Sequence, residues 1–252
     1  GTEPIRPVIV GIPKILQSTT DTVLEILQVL KEYDLSEEEL VLHPRVLTLS
    51  AATVRERLSR LHSDPSFRPF IHNRRRLKMV IYFHCAYNRK KLLTENKWRC
   101  STLDLLSTGK KEFDKRCKLG LDLTTGFDTV NMLQKELNLT KTEIRAILNQ
   151  HSHWKRIPVM TVFHTLEYLR EAGIQRSQIT DCLQVLLYPM KDVEKCLQLI
   201  ETSPEVDFCR DSNGKVRPEL LLHLVMYFLE RPYHFTGNGI WGDTSPPDLF
   251  SQ

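Results

Sequence analysis

The chain is 252 residues long, 41% hydrophobic and 26% charged, which suits a folded protein with a continuous core and excludes a disordered or low-complexity class. No apolar stretch approaches the roughly 20 residues that a membrane-spanning helix needs, so no membrane partner is expected. The net charge of +4 is unevenly placed: Arg68 to Lys118 holds 15 Lys/Arg against 4 Asp/Glu, leaving 20 against 27 elsewhere, and a positive region in an acidic frame is the footprint of a polyanion partner.

Residues 1–19 contain several prolines and read as a lead-in segment. The chain opens Gly1-Thr-Glu-Pro rather than with Met, as expected of a processed or trimmed start from which a targeting peptide would already be missing. Thr20 or Asp21 caps a helix with Val23, Ile26, Leu27 and Leu30 on one face, and Pro44 bounds the short helix that follows. Residues 51–62 read as a helix with Val54, Leu58 and Leu61 inward, and 62–69 as a loop. One long helix is expected over 71–94. At 100° per residue it turns Leu77, Val80, Ile81, His84 and Leu92 inward, and Arg75, Lys78, Tyr82 and Arg89 outward as a basic stripe.

Residues 97–118 continue the basic region, and Gly120 to Gly126 forms a boundary. Helices are expected over 127–137, 140–150 and 158–172, the last opened by Pro158. Further helices carry Ile179, Leu183 and Leu186, then Val193, Leu197 and Ile200. A last one, opened by Pro218, runs through Leu229. The organisation is thus a helical domain over 20–231 followed by a flexible tail over 232–252.

One phrase occurs three times: Lys31-Glu-Tyr-Asp-Leu-Ser-Glu-Glu-Glu-Leu40, Lys135-Glu-Leu-Asn-Leu-Thr-Lys-Thr-Glu-Ile144 and Arg170-Glu-Ala-Gly-Ile-Gln-Arg-Ser-Gln-Ile179. Ser36 with Glu39, and Thr140 with Glu143, have the spacing of capping boxes, and Gln175 with Gln178 is a weaker version. Leu35 with Leu40, Leu139 with Ile144, and Ile174 with Ile179 sit at hydrophobic-staple positions, so each phrase closes one helix and opens the next. Leu139 and Ile174 are 35 residues apart and Leu35 lies 104 before Leu139, near three such periods, which points to a helical-repeat architecture.

Catalytic signatures are missing: there is no GxGxxG, Walker loop, HExxH or nucleophile elbow, so neither an enzyme nor a cofactor is expected. His151 and His153, at i and i+2, point to different sides of a helix and make no metal pair. The six cysteines, Cys85, Cys100, Cys117, Cys182, Cys196 and Cys209, lie 13 or more residues apart without a CxxC and read as reduced core residues.

The basic cluster is the functional candidate. Arg74, Arg75 and Arg76 splay over a helix, and Arg89, Lys90 and Lys91 repeat the arrangement some turns later. Lys78, Tyr82, Lys97, Arg99, Lys110, Lys111, Lys115 and Arg116 complete the patch. Lys141, Arg145, Lys155 and Arg156 add cations on later helices. Such side chains make most phosphate contacts and carry sequence-independent affinity, whereas a routine charged surface mixes its signs. Tyr82, Tyr87 and Trp98 lie among them, placed for stacking on bases or for packing between helices.

Leu35-Ser-Glu-Glu-Glu-Leu40, Leu139-Thr-Lys-Thr-Glu-Ile144 and Val162-Phe-His-Thr-Leu-Glu-Tyr-Leu-Arg-Glu-Ala-Gly173 resemble the repeat of the mitochondrial transcription termination factor (mTERF) family over about 20–230, with 62–130 fitting poorly. The family usually carries a proline late in each first helix, whereas Pro44, Pro158 and Pro189 here follow their anchors by 9, 19 and 15 residues. The resemblance implies an all-α, curved helical solenoid of roughly 35-residue repeats, a location in the mitochondrial matrix, and binding to mitochondrial double-stranded DNA that regulates or terminates transcription. Two alternatives stand beside it: a ribosomal-RNA-binding ribosome-assembly factor, and a protein-interaction solenoid whose basic patch meets an acidic partner.

Overall fold

The computed structural model describes residues 12–71, 73–95, 102–119 and 126–241. Its fold is all-α, and among the described residues the only extended pairing is one isolated bridge between Arg210 and Val216. Two compact units divide the chain, residues 1–121 and residues 122–252.

In the first unit, a 3₁₀ turn at Pro13–Gln17 precedes α1 (Thr20–Glu32), whose first turn is capped by the Thr19 hydroxyl accepting from the Thr22 amide. Ile26, Val29 and Leu30 form its buried stripe. Asp34 adopts a left-handed conformation after the last turn, and the Leu35 amide reaches back to the Leu30 carbonyl, which satisfies one of the carbonyls a helix end leaves open. The capping box then forms as the spacing requires: Ser36 Oγ accepts from the Glu39 amide at 3.3 Å and the Glu39 carboxylate from the Ser36 amide at 2.9 Å. It opens α2 (Glu37–Leu42), followed by a 3₁₀ turn at Pro44–Thr48 and by α3 (Ala51–Ser63), which buries Val54, Leu58 and Leu61. A further 3₁₀ turn covers Pro65–Phe70.

The expected long helix is two helices. α4 (Arg76–Ile81) and α5 (Phe83–Glu95) meet at Tyr82, whose backbone (φ −101°, ψ 30°) leaves the helical region. The break resets the angular phase. Phe83, Ala86, Arg89 and Leu93 are buried on α5, while His84 and Leu92 are exposed. No Pro or Gly marks Tyr82, so a phase counted at 100° per residue runs through the break unchecked. Both helices pack against α6 (Leu103–Ser107), and α7 (Lys110–Leu119) follows.

The second unit opens with α8 (Phe127–Leu137), ended by left-handed Asn138. Thr140 and Glu143 form the second capping box and start α9 (Lys141–Leu148), and a 3₁₀ turn covers Trp154–Arg156. Pro158 precedes α10 (Val159–Glu171), and the Gln175 amide donates to Gln178 Oε1 at 2.8 Å as α11 (Arg176–Asp181) begins. A 3₁₀ turn at Leu183–Leu187, α12 (Met190–Thr202), a 3₁₀ turn at Pro204–Cys209 and α13 (Pro218–Glu230) complete the set.

The repeat is legible as lengths. Residues 20–70 and 159–209 share one sequence of elements: helices of 13 and 6 residues, a 3₁₀ turn of 5, a helix of 13 and a 3₁₀ turn of 6. Each starts 139 positions after its counterpart. Left-handed Asp34 thereby matches left-handed Gly173, and Pro65 matches Pro204. First helices start 31 residues apart from Thr20 to Ala51, 32 from Phe127 to Val159 and 31 from Val159 to Met190. The phrases at Leu139 and Ile174 lie 35 apart because α9 begins 14 residues after α8 starts, whereas α11 begins 17 after α10 starts. Beyond α13, residues 231–241 make two 3₁₀ turns, at Arg231–Tyr233 and Asn238–Trp241, where the sequence reads as flexible tail. Residues 242–252 of that tail lie outside the described residues.

Candidate nucleic-acid interface

In the first unit the exposed cations gather where α4 meets the turn after α2. Asn73 Oδ1 accepts from the Arg75 amide at 2.8 Å and shapes the entry to α4, leaving Arg74 and Arg75 exposed. Arg74 pairs with Glu38 at 2.7 Å, with both side chains largely in solvent. Arg45, on the 3₁₀ turn after Pro44, donates from Nη1 to the Tyr82 hydroxyl at 3.0 Å, and that ring is 38% exposed. Lys78 pairs with Asp104 at 3.2 Å, and Arg116 reaches the other oxygen of Asp104 at 3.2 Å and Glu112 at 2.9 Å. Burial pushes the Asp104 carboxyl up, but Lys78 and Arg116 outweigh it and hold the group below its ordinary range. His43 shares this field: burial first, then Lys78 and Arg75, hold its imidazole below the ordinary value. Arg45, Arg75, Lys78, Tyr82 and His43 thus make one electropositive cluster from two segments of the chain. Arg45 and His43 were not legible as members, because nothing local ties Arg45 to Tyr82, 37 positions away.

Two of the expected phosphate contacts are corrected by their surroundings. Arg76 is inside the fold. Its guanidinium pairs with Glu39 at 3.0 Å, and it donates to the Ile71 and Asp34 carbonyls, with 11% of its side chain exposed. Arg89 is 7% exposed: Nη1 donates to the Leu106 carbonyl at 2.9 Å and the Thr108 carbonyl at 2.6 Å, and the guanidinium lies 4.5 Å from the Phe113 ring centroid. Both side chains satisfy carbonyls at or beyond helix ends, so neither presents its charge to a ligand. Lys90 is partly buried, and desolvation lowers its affinity for a proton. Lys91 is exposed, 3.9 Å from Glu95. Lys110 and Lys111 are exposed in the first turn of α7. A helix N-terminus is the positive end of its dipole, so cations there stabilise no helix, and their placement needs another reason. Lys97, Arg99 and Trp98 lie outside the described residues. Tyr87 stacks on Phe67 and Phe83 at 6.1 and 6.0 Å while keeping 47% of its surface exposed.

The second unit has its own basic group. Lys141 opens α9, 6.0 Å from the Phe127 ring centroid, and Arg145 is exposed one turn on. Lys155 and Arg156 stand exposed on the 3₁₀ turn, Lys155 lying 5.8 Å from the Trp154 ring centroid. Trp154 fixes that turn. Its ring is buried, its Nε1 donates to Asn149 Oδ1 at 2.9 Å, and Gly126 (φ +66°) packs so closely that a β-carbon there would lie 2.4 Å from the ring. His151 is buried, and burial is the main cause holding its imidazole below the ordinary value. Among the described residues no group of three or more His, Cys, Asp or Glu is placed to hold a metal. Cys182 and Cys209 are buried, and burial pushes the Cys182 and Cys196 thiols each up to about 11.

Over 237 residues, 91% of the chain, the sequence is 34% identical to the Drosophila melanogaster protein named "Transcription termination factor 5, mitochondrial". The chain spans 41% of that relative's length. No protein-family model and no solved structure matches it.

Proposed function

The chain belongs to the mitochondrial transcription termination factor family, and on that footing we propose that it binds mitochondrial double-stranded DNA in the matrix and regulates or terminates transcription there. The observation that carries the reading is the gathering of exposed cations within the first unit. Arg45 donates to the exposed Tyr82, exposed Arg75 shares the field around His43 with Lys78, and Lys110 and Lys111 stand exposed in the first turn of α7. Phosphates are the ligand such a surface attracts, and their contacts would supply affinity without sequence reading. The protein would work by occupying its target, with no chemistry of its own. The 34% relative carries "transcription termination" in its name, which supports a role in transcription ahead of ribosome assembly.

The test is competition. A labelled DNA duplex bound to the full chain is challenged with unlabelled duplex DNA and with RNA duplex of equal length at one fixed salt concentration. Preferential displacement by DNA supports the reading. Preferential displacement by RNA moves the function to ribosome assembly. If the labelled duplex does not bind below roughly 10⁻⁴ M, the weak end of non-specific affinity, the basic clusters face an acidic protein instead.

A further inference from the structure

The last helix ends in a buried acid that a helix end does not call for. Glu230 is 6% exposed at the C-terminus of α13, the negative end of the helix dipole, where a carboxylate is unfavourable. Its oxygens are fully engaged: Oε1 accepts from the Tyr188 hydroxyl at 2.8 Å and the Gly239 amide at 2.9 Å, and Oε2 from the Gly237 amide at 2.7 Å. These bonds fold residues 231–241 back on the unit. The fold-back passes through two consecutive left-handed non-glycine residues, His234 (φ 52°) and Phe235 (φ 56°), a conformation that persists only where neighbours over-determine it. Gly239 has no room for a side chain: a β-carbon would lie 2.6 Å from the Leu229 carbonyl oxygen and 2.6 Å from Glu230 Oε1.

The folded-back segment is one wall of the loop that carries Lys155 and Arg156. A β-carbon on Gly237 would meet the His151 ring at 3.2 Å, and Trp241 lies against His153 with ring centroids 5.9 Å apart. His151 in turn organises the loop. Its Nδ1 accepts from the His153 amide, its carbonyl accepts from the Trp154 amide, and the His153 carbonyl accepts from the Arg156 amide.

We propose that Glu230 is a latch: by holding residues 237–241 against His151 and His153, it fixes the position from which Lys155 and Arg156 meet phosphate. Glu230 and Gly239 are positioning residues that touch no ligand. The latch deepens the nucleic-acid reading above and, for its effect on affinity, rests on it.

The test uses the full chain with two variants that act from opposite sides. Gly239→Ala forces the segment off by contact with backbone, and Glu230→Gln keeps the side-chain shape while replacing one acceptor oxygen with a donor. Tyr188→Phe removes a single donor and should give a smaller effect of the same kind. Amide hydrogen exchange without nucleic acid is read at Gly239, His153, Trp154 and Arg156, with Val162 and Leu166 of α10 reporting the integrity of the unit. The latch predicts that exchange at Gly239 and at the three loop amides rises about ten-fold or more while α10 is unchanged. It also predicts that Gly239→Ala weakens duplex binding as much as Lys155→Ala/Arg156→Ala does, with no further loss when the changes are combined. Release of Gly239 with unchanged exchange at His153 and Trp154 overturns it, as does a loosened loop with full affinity when the double variant binds weakly. If the loop loosens but the double variant binds like wild type, the latch on the loop is upheld and the nucleic-acid reading of Lys155 and Arg156 fails.

Discussion

Arg76 and Glu39 meet at 3.0 Å with side chains only 11% and 8% exposed, and Glu39 is at the same time the carboxylate of a capping box. One acid thus serves two purposes: it starts α2 and anchors α4 to the end of α1, through the Arg76 bonds to Glu39 and to the Asp34 carbonyl. Removing one partner of a buried pair strands the other charge, so Arg76→Ala should cost about 3 kcal/mol or more of stability in a denaturant titration. Arg74→Ala, two residues earlier and exposed, should cost less than about 1 kcal/mol. Equal costs for the two would show that burial does not distinguish them.

Arg89 predicts a second stability effect within the basic region. Arg89→Ala leaves the Leu106 and Thr108 carbonyls without their donor and should destabilise the first unit by about 2–3 kcal/mol. Arg89→Lys should recover only part of this, because an ammonium cannot reproduce the planar fork and its stacking on Phe113. Full rescue by Lys would mean that charge alone matters there. Neither variant should change the salt slope of DNA binding once it is measured on folded protein.

These two arginines mark where sequence reasoning ends. Capping is local, so Ser36–Glu39 and Thr140–Glu143 were legible from spacing of three residues. Apart from Glu39, the acceptors of Arg76 and Arg89 are carbonyls up to 42 positions away, and no pattern of residue types announces a carbonyl. The inward faces of α1 and α3 followed the helical period closely, although Leu27 remained 38% exposed. The face of α5 did not follow, because the break at Tyr82 has no breaking residue. The register shared by 20–70 and 159–209 was hidden for a different reason: it is kept in element lengths while the cap residues differ, Ser36 against Gln175.

Acid should destabilise the fold and strengthen binding at once. His43 is held below its ordinary value of 6.5 by burial, then Lys78 and Arg75, with Glu39 opposing; His151 is held below it chiefly by burial, with Glu230 opposing. Both imidazoles resist protonation in the folded chain, while the unfolded chain takes up protons near 6.5. Their stabilising contribution is therefore present above pH 6.5 and is lost as the pH falls below it toward the folded values. Melting temperature followed against pH should fall through that window, and less steeply in His43→Gln. A bound phosphate beside Lys78 and Arg75 offsets the cations that depress His43, so binding takes up a proton there and duplex affinity should rise as the pH falls toward the lowered value of the free chain. No such rise would separate His43 from the binding cluster.

Tyr82 tests which polymer face the cluster meets. Tyr82→Phe removes the hydroxyl that accepts from Arg45 but keeps the ring, so a loss of affinity shared with Arg45→Ala assigns the residue to positioning a phosphate contact. Tyr82→Ala weakening single strands more than duplex, by about 1–3 kcal/mol, would instead assign it to base stacking.

Whether exposed cations of the first unit grip a nucleic-acid backbone is read from the salt dependence of duplex affinity for wild type and for Arg74→Glu/Arg75→Glu. Arg76 is left intact, because its change would alter stability as well as charge. With such a grip, log affinity falls linearly with log salt, with a slope of several units at about 0.9 per phosphate, and the variant binds more weakly with a slope shallower by about 2. A flat slope in wild type, or a variant with unchanged affinity and slope, would contradict it.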